Sequence, residues 1–530
     1  MKLNEELIDG LRDPDNLRFP PGFNAAVPFI DRHLGEGRGE KAAILTPQAV
    51  VTYADLASNV NRAANGLTAL GLAQGDRVLM VIKDCPAFFY AFWGAIKAGF
   101  VPVPINTLLR FDTYAFIIKD SAASVIIYSP EYAAEVERAL DASPYKPPHI
   151  LLTEGAPGDF DKLLASSATT FEPVAAGAEA DCFWLYSSGS TGRPKGTVHR
   201  HRDMVVTSQY FGVETIGICE DDICYSEAKL FFAYGLGNNL TFPLWVGASA
   251  VLNPGRPGPE TSFPVLARFR PTVYFGVPTL YAAYLANMSK ERPDLSKVRY
   301  CVSAGEALPA GILQRWHEET GLWIIDGIGS SEALHIFISN RLDDIQPGSS
   351  GTPVRGYRAK ILDETGQEIH GAGSGRLLVS GASMARCYWN NPQKTAATMV
   401  GDWVDTGDTY RRDEQGYYYY CGRTDDMIKV GGIWCSAFDV ESKLIEHPAV
   451  LEAGVIGKED AAGLVKPEAF VVLKEAVEDQ ESLSQALMKL CRTELAPYQY
   501  PRRIHFVAEL PKTATGKIQR FRLRNADLDT

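Results

Sequence analysis

Long apolar runs are missing from this chain: nowhere do about 18 uninterrupted apolar residues occur, so no membrane-spanning helix is expected. Paired cysteines are missing too. The nine cysteines (Cys85, Cys182, Cys219, Cys224, Cys301, Cys387, Cys421, Cys435 and Cys491) are scattered and never spaced Cys-x-x-Cys. That pattern argues against a disulfide frame or a zinc site and for reduced thiols in a cytoplasmic protein. Positive charge is in deficit, with 52 Lys and Arg against 64 Asp and Glu, and the net charge of −12 excludes a general nucleic-acid or anionic-membrane binder. Any phosphate site must therefore be local and built largely from backbone donors. The first residues, MKLNEELIDGLRDPDNLRF, carry charges throughout and no apolar centre, so no secretory leader is expected. Internal repeats and low-complexity tracts are also lacking.

What is present is an ordinary globular composition, 46% hydrophobic and 22% charged, in 530 residues, enough for two or more domains. From Ala42 to Val103 short apolar runs (AAIL, VVTY, DRVLMVI, FVPVPI) alternate with helical patterns (ADLASNVNRAANGLTALG, PAFFYAFWGAIKAG). This alternation predicts an α/β fold with parallel strands, continued by ASVIIYSP, SAVLNPG, PTVYFGVP, RYCVSAGE and LWIIDGIG. Ligands of such folds gather where strands end, so these junctions are where a site is expected. After about residue 350 the pattern turns to glycine-punctuated β, consistent with a smaller β-rich subdomain. From Asp425 onward a helix, strands, a second helix and RRIHFVAELP make an α+β module of about 100 residues. The expected division is 1–424 and 425–530.

The segment YSSGSTGRPKG, Tyr186 to Gly196, concentrates five hydroxyl residues in seven positions, then adds Arg193 and Lys195. It is no nucleotide P-loop of the G-x-x-x-x-G-K-[ST] form, because Pro194 stands where glycine is needed and Gly196 follows the lysine. It reads instead as a Gly/Ser/Thr-rich loop between an apolar strand, CFWLY, and a helix beginning near His201, whose backbone N–H groups, hydroxyls and Lys195 can cradle phosphates. Glycines and serines alone would indicate only a solvated loop. GLGNNL at Gly235 is an incomplete dinucleotide fingerprint without the preceding strand, and the histidines, His199 and His201 included, do not form a metal-spaced cluster.

Taken with DGIGSSEALH (Asp326 to His335), WVDTGDTYRRDEQGYYYYCGRTDD (Trp403 to Asp426) and PKTATGKIQR (Pro511 to Arg520), the loop resembles the signature set of the adenylate-forming superfamily of acyl- and aryl-CoA synthetases, luciferases and peptide adenylation domains. Alone, each of the three would read as a helix cap, a turn or a basic tail. Together, in the family's order, they cover nearly the whole chain.

The resemblance implies that ATP, with Mg²⁺, is held by Ser187, Ser188, Gly189, Ser190, Thr191, Gly192 and Lys195, and by Asp326, Gly327, Ile328, Gly329 and Ser331. It places Mg²⁺ on Glu332, the adenine beside Ala304, Gly305 and Glu306, and the ribose on Asp408 and Arg423. It gives Lys517 the bridging of carboxylate and phosphate oxygens during adenylation. It also makes Asp425 the hinge of a mobile C-terminal domain and Lys429, Gly431 and Gly432 the channel for the arm of coenzyme A. Ile328 departs from the commoner aromatic residue, and Ser331 from threonine.

AKLFFAYGLGNNLTFPLWVGA, with SAGEALP and LPKTATGKIQRF, is similar in particular to benzoate-CoA ligases and relatives that take 2-aminobenzoate. The implied aryl pocket consists of Phe232, Ala233, Tyr234 and Gly235, with Gly329, His335 and Ile336 opposite. Aromatic runs are more often core than pocket, and it is the motif's position that favours the pocket. The expected activity is ATP-dependent ligation of a benzoate to coenzyme A, releasing AMP and pyrophosphate. Two alternatives are loading of a carrier-protein phosphopantetheine thiol, for which no carrier domain is visible in this chain, and a nucleotide-binding relative without catalysis. Expected partners are small molecules, not nucleic acid or membrane, and monomer and homodimer both remain open.

Overall fold

The computed structural model describes residues 3–154, 159–187, 193–430, 433–460, 464–512 and 518–524. Among them, no helix is long and apolar enough to cross a membrane.

The first alternating stretch folds through a well-marked helix start. Thr52 accepts the N–H of Asp55 at 3.1 Å while Asp55 accepts that of Thr52 at 3.2 Å, a reciprocal cap that opens the helix Tyr53–Ala69. Its buried face, Leu56, Val60, Ala63, Ala64 and Leu67, follows the helical period. It packs on the helix Pro86–Lys97 at Gly94, where a Cβ would lie 2.6 Å from that of Ala63. The bare glycine lets the two helices touch.

Four parallel strands, Val101–Pro104, Arg77–Val81, Val125–Tyr128 and His149–Leu152, form one sheet in that order. The main sheet has nine. Its six inner strands, Ala42–Leu45, Ser249–Val251, Ile223–Ser226, Val273–Gly276, Tyr300–Ser303 and Ile324–Gly329, run parallel and side by side. Val50–Thr52 borders them antiparallel on one side, Ile336–Ser339 and Thr352–Pro353 on the other. The strands VYFG and YCVS are buried along their whole length, as parallel strands covered on both faces must be. The carboxyl ends of the parallel strands open at Ser226, Gly276, Ser303 and Gly329, and the segments that follow carry Phe232 to Gly235, Ala304 to Glu306, Ser331, Glu332 and His335.

The phosphate-loop region departs from the sequence expectation. A strand, Lys195–Arg200, lies between the loop and the helix, paired antiparallel with Asp181–Ser187 so that Ser187 faces Lys195; the helix itself starts at His201, as expected. The strand escaped hydropathy because two of its fully buried residues, Thr197 and His199, are polar. Cys387–Tyr388 adds to this hairpin as a third strand.

Beyond residue 350 the strands Tyr357–Leu362, Gly373–Gly381, Trp403–Arg412, Met399–Val400 and Tyr418–Arg423 form the expected β-rich unit, with antiparallel pairing throughout. Then a hairpin, Ile428–Val430 with Ile433–Cys435, precedes the small domain. There the strands Val450–Glu459, Val465–Leu473 and Arg503–Phe506 pack with the helices Ala437–Ile445 and Gln480–Glu494 around a core of their own, including Val440, Leu444, Val455 and Leu487. The chain is thus a large N-terminal α/β domain followed by a small C-terminal one. The two meet where Tyr420 packs edge-on against Phe438, ring centroids 5.3 Å apart.

Candidate active site

Lys195, first residue of its strand, points at the loop that follows Gly329. Its ammonium donates to Glu332 Oε1 at 2.9 Å and to the Tyr388 hydroxyl at 2.8 Å, and it stands 4.1 Å above the Tyr388 ring. Tyr388 in turn donates its O–H to the same Oε1 at 2.5 Å. Burial by itself would raise the Glu332 carboxyl; the Lys195 charge, followed by the Tyr388 hydroxyl, overcomes it and holds the group down to about 2. Burial and then the Glu332 charge push the Tyr388 hydroxyl up, so it stays a donor. Ser187 Oγ, beside Lys195 across the hairpin, is buried and has no hydrogen-bond partner among the described residues.

The main chain around Glu332 is clamped from two sides. His199 Nε2 donates to the Ser331 carbonyl at 2.7 Å, and its Nδ1 lies 3.0 Å from Asp203 Oδ2, both side chains fully buried. A carbonyl can only accept, so the Nε2 hydrogen follows from the geometry. The Ala385 N–H donates to the Glu332 carbonyl at 2.7 Å. Gly329 makes the return of the chain possible, since a Cβ there would sit 2.6 Å from the His335 carbonyl oxygen. Asp326, at the same strand end, is buried, and burial pushes its carboxyl well above the ordinary range. Its carbonyl takes the N–H and the side-chain amide of Asn340 at 2.9 and 3.1 Å. Gly327, Ile328 and Ser331 lie along the same strand and loop.

Asp408 and Arg423 face each other across two antiparallel strands. Arg423 donates to Asp408 Oδ1 at 3.0 Å and to the Thr406 carbonyl at 2.9 Å, which orients the carboxylate. The Arg423 charge also acts on the Tyr388 hydroxyl, linking this pair to the Lys195 cluster. Ala304, Gly305 and Glu306 follow the strand Tyr300–Ser303, with Gly305 at a φ of +92°.

The apolar wall lies at the neighbouring strand ends. Phe232 precedes the short helix Ala233–Leu236, and Phe232, Ala233 and Tyr234 stay partly open to solvent. The Tyr234 hydroxyl lies 3.0 Å from the Val302 carbonyl and 3.2 Å from the Gly276 carbonyl, sharing its one hydrogen between them at the ends of two inner strands. Gly235 allows the tight approach behind it: a Cβ would fall 2.2 Å from the Lys229 carbonyl oxygen. His335 completes the wall, its ring 4.6 Å from Phe242, 4.9 Å from Phe211 and 5.5 Å from Tyr234. Its Nε2 sits between the Tyr234 carbonyl and Asn238 Oδ1, and burial holds the imidazole down to about 3, hence neutral. Ile336 follows, buried.

Lys429 stands apart from this cluster, on the hairpin after the β unit, with its ammonium 4.0 Å from Glu364. Asp425 falls in the turn Thr424–Asp426. Its neighbour Asp426 is bound by Arg520 at 3.4 Å and Arg524 at 2.6 Å, and Arg520 also grips Glu441 at 2.8 Å. Ser188, Gly189, Ser190, Thr191, Gly192, Gly431, Gly432 and Lys517 lie outside the described residues.

Sequence reasoning missed Tyr388, His199, Asp203 and Asn238. Asn238 was in view within GLGNNL, which was set aside as a nucleotide fingerprint; in the fold it lines the wall behind His335.

The family described as AMP-binding enzyme matches residues 31–389, and the AMP-binding enzyme C-terminal domain matches residues 439–517. The chain is 49% identical to the benzoate–CoA ligase of Thauera aromatica, over 98% of this chain and 99% of that one. The crystal structure of the anthranilate CoA ligase AuaEII in complex with anthranoyl-AMP superposes with a TM-score of 0.91 at 42% identity, covering 96% of this chain and 98% of that one. A benzoate CoA ligase from Burkholderia xenovorans LB400 superposes with a TM-score of 0.87 at 42% identity, covering 95% and 100%.

Proposed function

The chain belongs to the AMP-binding enzyme family and is an ATP-dependent aryl-CoA ligase; from that premise we propose how its residues divide the reaction on benzoate or a small substituted benzoate such as 2-aminobenzoate. The observation that carries the reading is one juxtaposition at the carboxyl ends of the parallel strands. An ionised Glu332 paired with Lys195 lies on one side, and the wall of Phe232, Tyr234 and His335 on the other.

A carboxylate resists nucleophiles because it is already negative and has no leaving group. In the first half-reaction its oxygen attacks the α-phosphorus of ATP, an acyl–O–P bond forms, and the bond to the β-phosphate breaks to release pyrophosphate. The work of the protein is positioning and charge compensation, as in phosphoryl transfer generally. Lys195, the buried Ser187 hydroxyl and the loop Ser188–Gly192 hold the triphosphate, and Lys517 bridges acid and phosphate oxygens. Ser331 meets the α-phosphate. Asp408, held by Arg423, offers two carboxylate oxygens to the ribose hydroxyls, and Ala304, Gly305 and Glu306 flank the adenine.

Glu332 fits Mg²⁺: it is a hard oxygen donor, ionised above a pH of about 2 and mostly buried, with 14% of its side chain still exposed. Bound there with the nucleotide, Mg²⁺ neutralises phosphate charge. The acid's ring lies against Phe232, Ala233, Tyr234 and Gly235, with Gly329, His335 and Ile336 behind, and the neutral imidazole adds no charge to repel or trap the carboxylate.

In the second half-reaction the sulfur of coenzyme A attacks the acyl carbon, and AMP leaves. The C-terminal domain turns about Asp425, withdrawing Lys517 and presenting Lys429, Gly431 and Gly432, whose small residues leave a channel for the pantetheine arm. All nine cysteines are free, which supports a cytoplasmic location.

The division of labour is tested by half-reactions. Lys517→Ala is expected to abolish pyrophosphate release from benzoate and ATP while sparing thioester formation from supplied benzoyl-adenylate, and Gly432→Leu is expected to do the reverse. Equal loss of both half-reactions in either variant would overturn the assignment.

A further inference from the structure

Tyr388 lies in none of the motif segments, yet its hydroxyl touches both charged groups of the phosphate side. Its position is built in: the residue is 2% exposed, pairs with Thr197 of the adjacent strand, and donates its backbone N–H to Thr395 Oγ1 at 3.0 Å. A phenol has one hydrogen and two lone pairs. Here the hydrogen goes to Glu332 Oε1 and a lone pair takes Lys195 Nζ, while Lys195 reaches that same Oε1, closing a triangle of 2.5, 2.8 and 2.9 Å.

Both side-chain bonds to the carboxylate that Lys195 and Tyr388 make fall on Oε1 rather than on Oε2. A triphosphate entering beside Lys195 competes for its ammonium, and when Lys195 turns to the phosphates, Oε1 loses that partner. We propose that Tyr388 is a positioning residue of the metal–triphosphate subsite, its hydroxyl keeping the Glu332 carboxylate oriented, with Oε2 presented, while Lys195 exchanges carboxylate for phosphate. This rests on the reading of Glu332 and Lys195 given above. Partners of this kind, which orient a ligating carboxylate, typically change metal affinity about 10–100-fold when removed.

Tyr388→Phe isolates the hydroxyl, because the ring that Lys195 stands over is kept. The measurement is binding of Mn²⁺, followed by its electron paramagnetic resonance signal, to the full-length protein saturated with α,β-methylene-ATP, which cannot be adenylated. The Phe variant is expected to bind Mn²⁺ about 10–100-fold more weakly than the wild type, with its KM for benzoate unchanged. In a double-mutant cycle with Glu332→Gln, the second substitution is expected to add nothing, because the hydroxyl acts through the carboxylate. Mn²⁺ affinity within about twofold of wild type, or full additivity in the cycle, would overturn the proposal; thermal melting shows that each variant is folded. Failure of the ligase reading is a separate result, namely absence of aryl-CoA formation by the wild type.

Discussion

The Lys195–Glu332 pair sets the electrostatics of the phosphate side. Glu332 is held at about 2, below the ordinary value of 4.5, so its charge is present above that ordinary value and would be lost only as the pH falls through about 2. Across the working range the carboxylate does not titrate, and any acid limb in the wild-type rate belongs to another group. Lys195→Met removes the main opposing charge and leaves burial to raise the carboxyl. The variant is expected to lose about 10²–10³ in kcat, the scale seen for removal of one preorganised donor, and to gain an acid limb in kcat/KM that the wild type lacks. A profile from pH 5 to 9 with the same shape in both proteins would contradict this. At the opposite wall His335 is neutral throughout, held at about 3 by burial, and so contributes shape rather than charge.

Among the elements, the sheet ends do the assembling. Gly235 shows the constraint most plainly, because its place against the Lys229 and Ala228 carbonyls leaves no room for a methyl group. Gly235→Ala is expected to cost about 1–3 kcal/mol in stability, the range for overpacking, and to lower kcat/KM for benzoate by shifting Tyr234. Chemical denaturation together with steady-state kinetics checks this, and an unchanged midpoint with unchanged kinetics would refute it. The same elements show what a sequence can tell. The helices Tyr53–Ala69 and Pro86–Lys97 were legible because period and caps are local properties. The strand Lys195–Arg200 was not, since the buried Thr197 and His199 break its apolar pattern, and the partner of His199 Nε2, the Ser331 carbonyl, is brought to it only by the fold. Glu332 and Lys195 stood in motifs, but their meeting across 137 residues is a property of the fold, and Tyr388 joins them from 193 residues beyond Lys195. No local pattern marks such a residue.

At the scale of the whole molecule, a large α/β domain carries the Lys195–Glu332 pair and the wall of Tyr234 and His335, and a small domain carries its own core. The turn Thr424–Asp426 after the β unit is tied to the C-terminal helix Arg520–Arg524 through Asp426, Arg520 and Arg524. Aryl-acid activation is the property that every part of this assembly serves. The most direct measurement is pyrophosphate and aryl-CoA formation by the purified protein with Mg-ATP and coenzyme A. It is run across benzoate, 2-aminobenzoate, the hydroxybenzoates, cyclohexanecarboxylate and a medium-chain fatty acid, and the acids are compared by kcat/KM. A clear preference for one benzoate, with AMP and its thioester as products, is the predicted result; preference for the fatty acid, or no pyrophosphate with any aromatic acid, would contradict it.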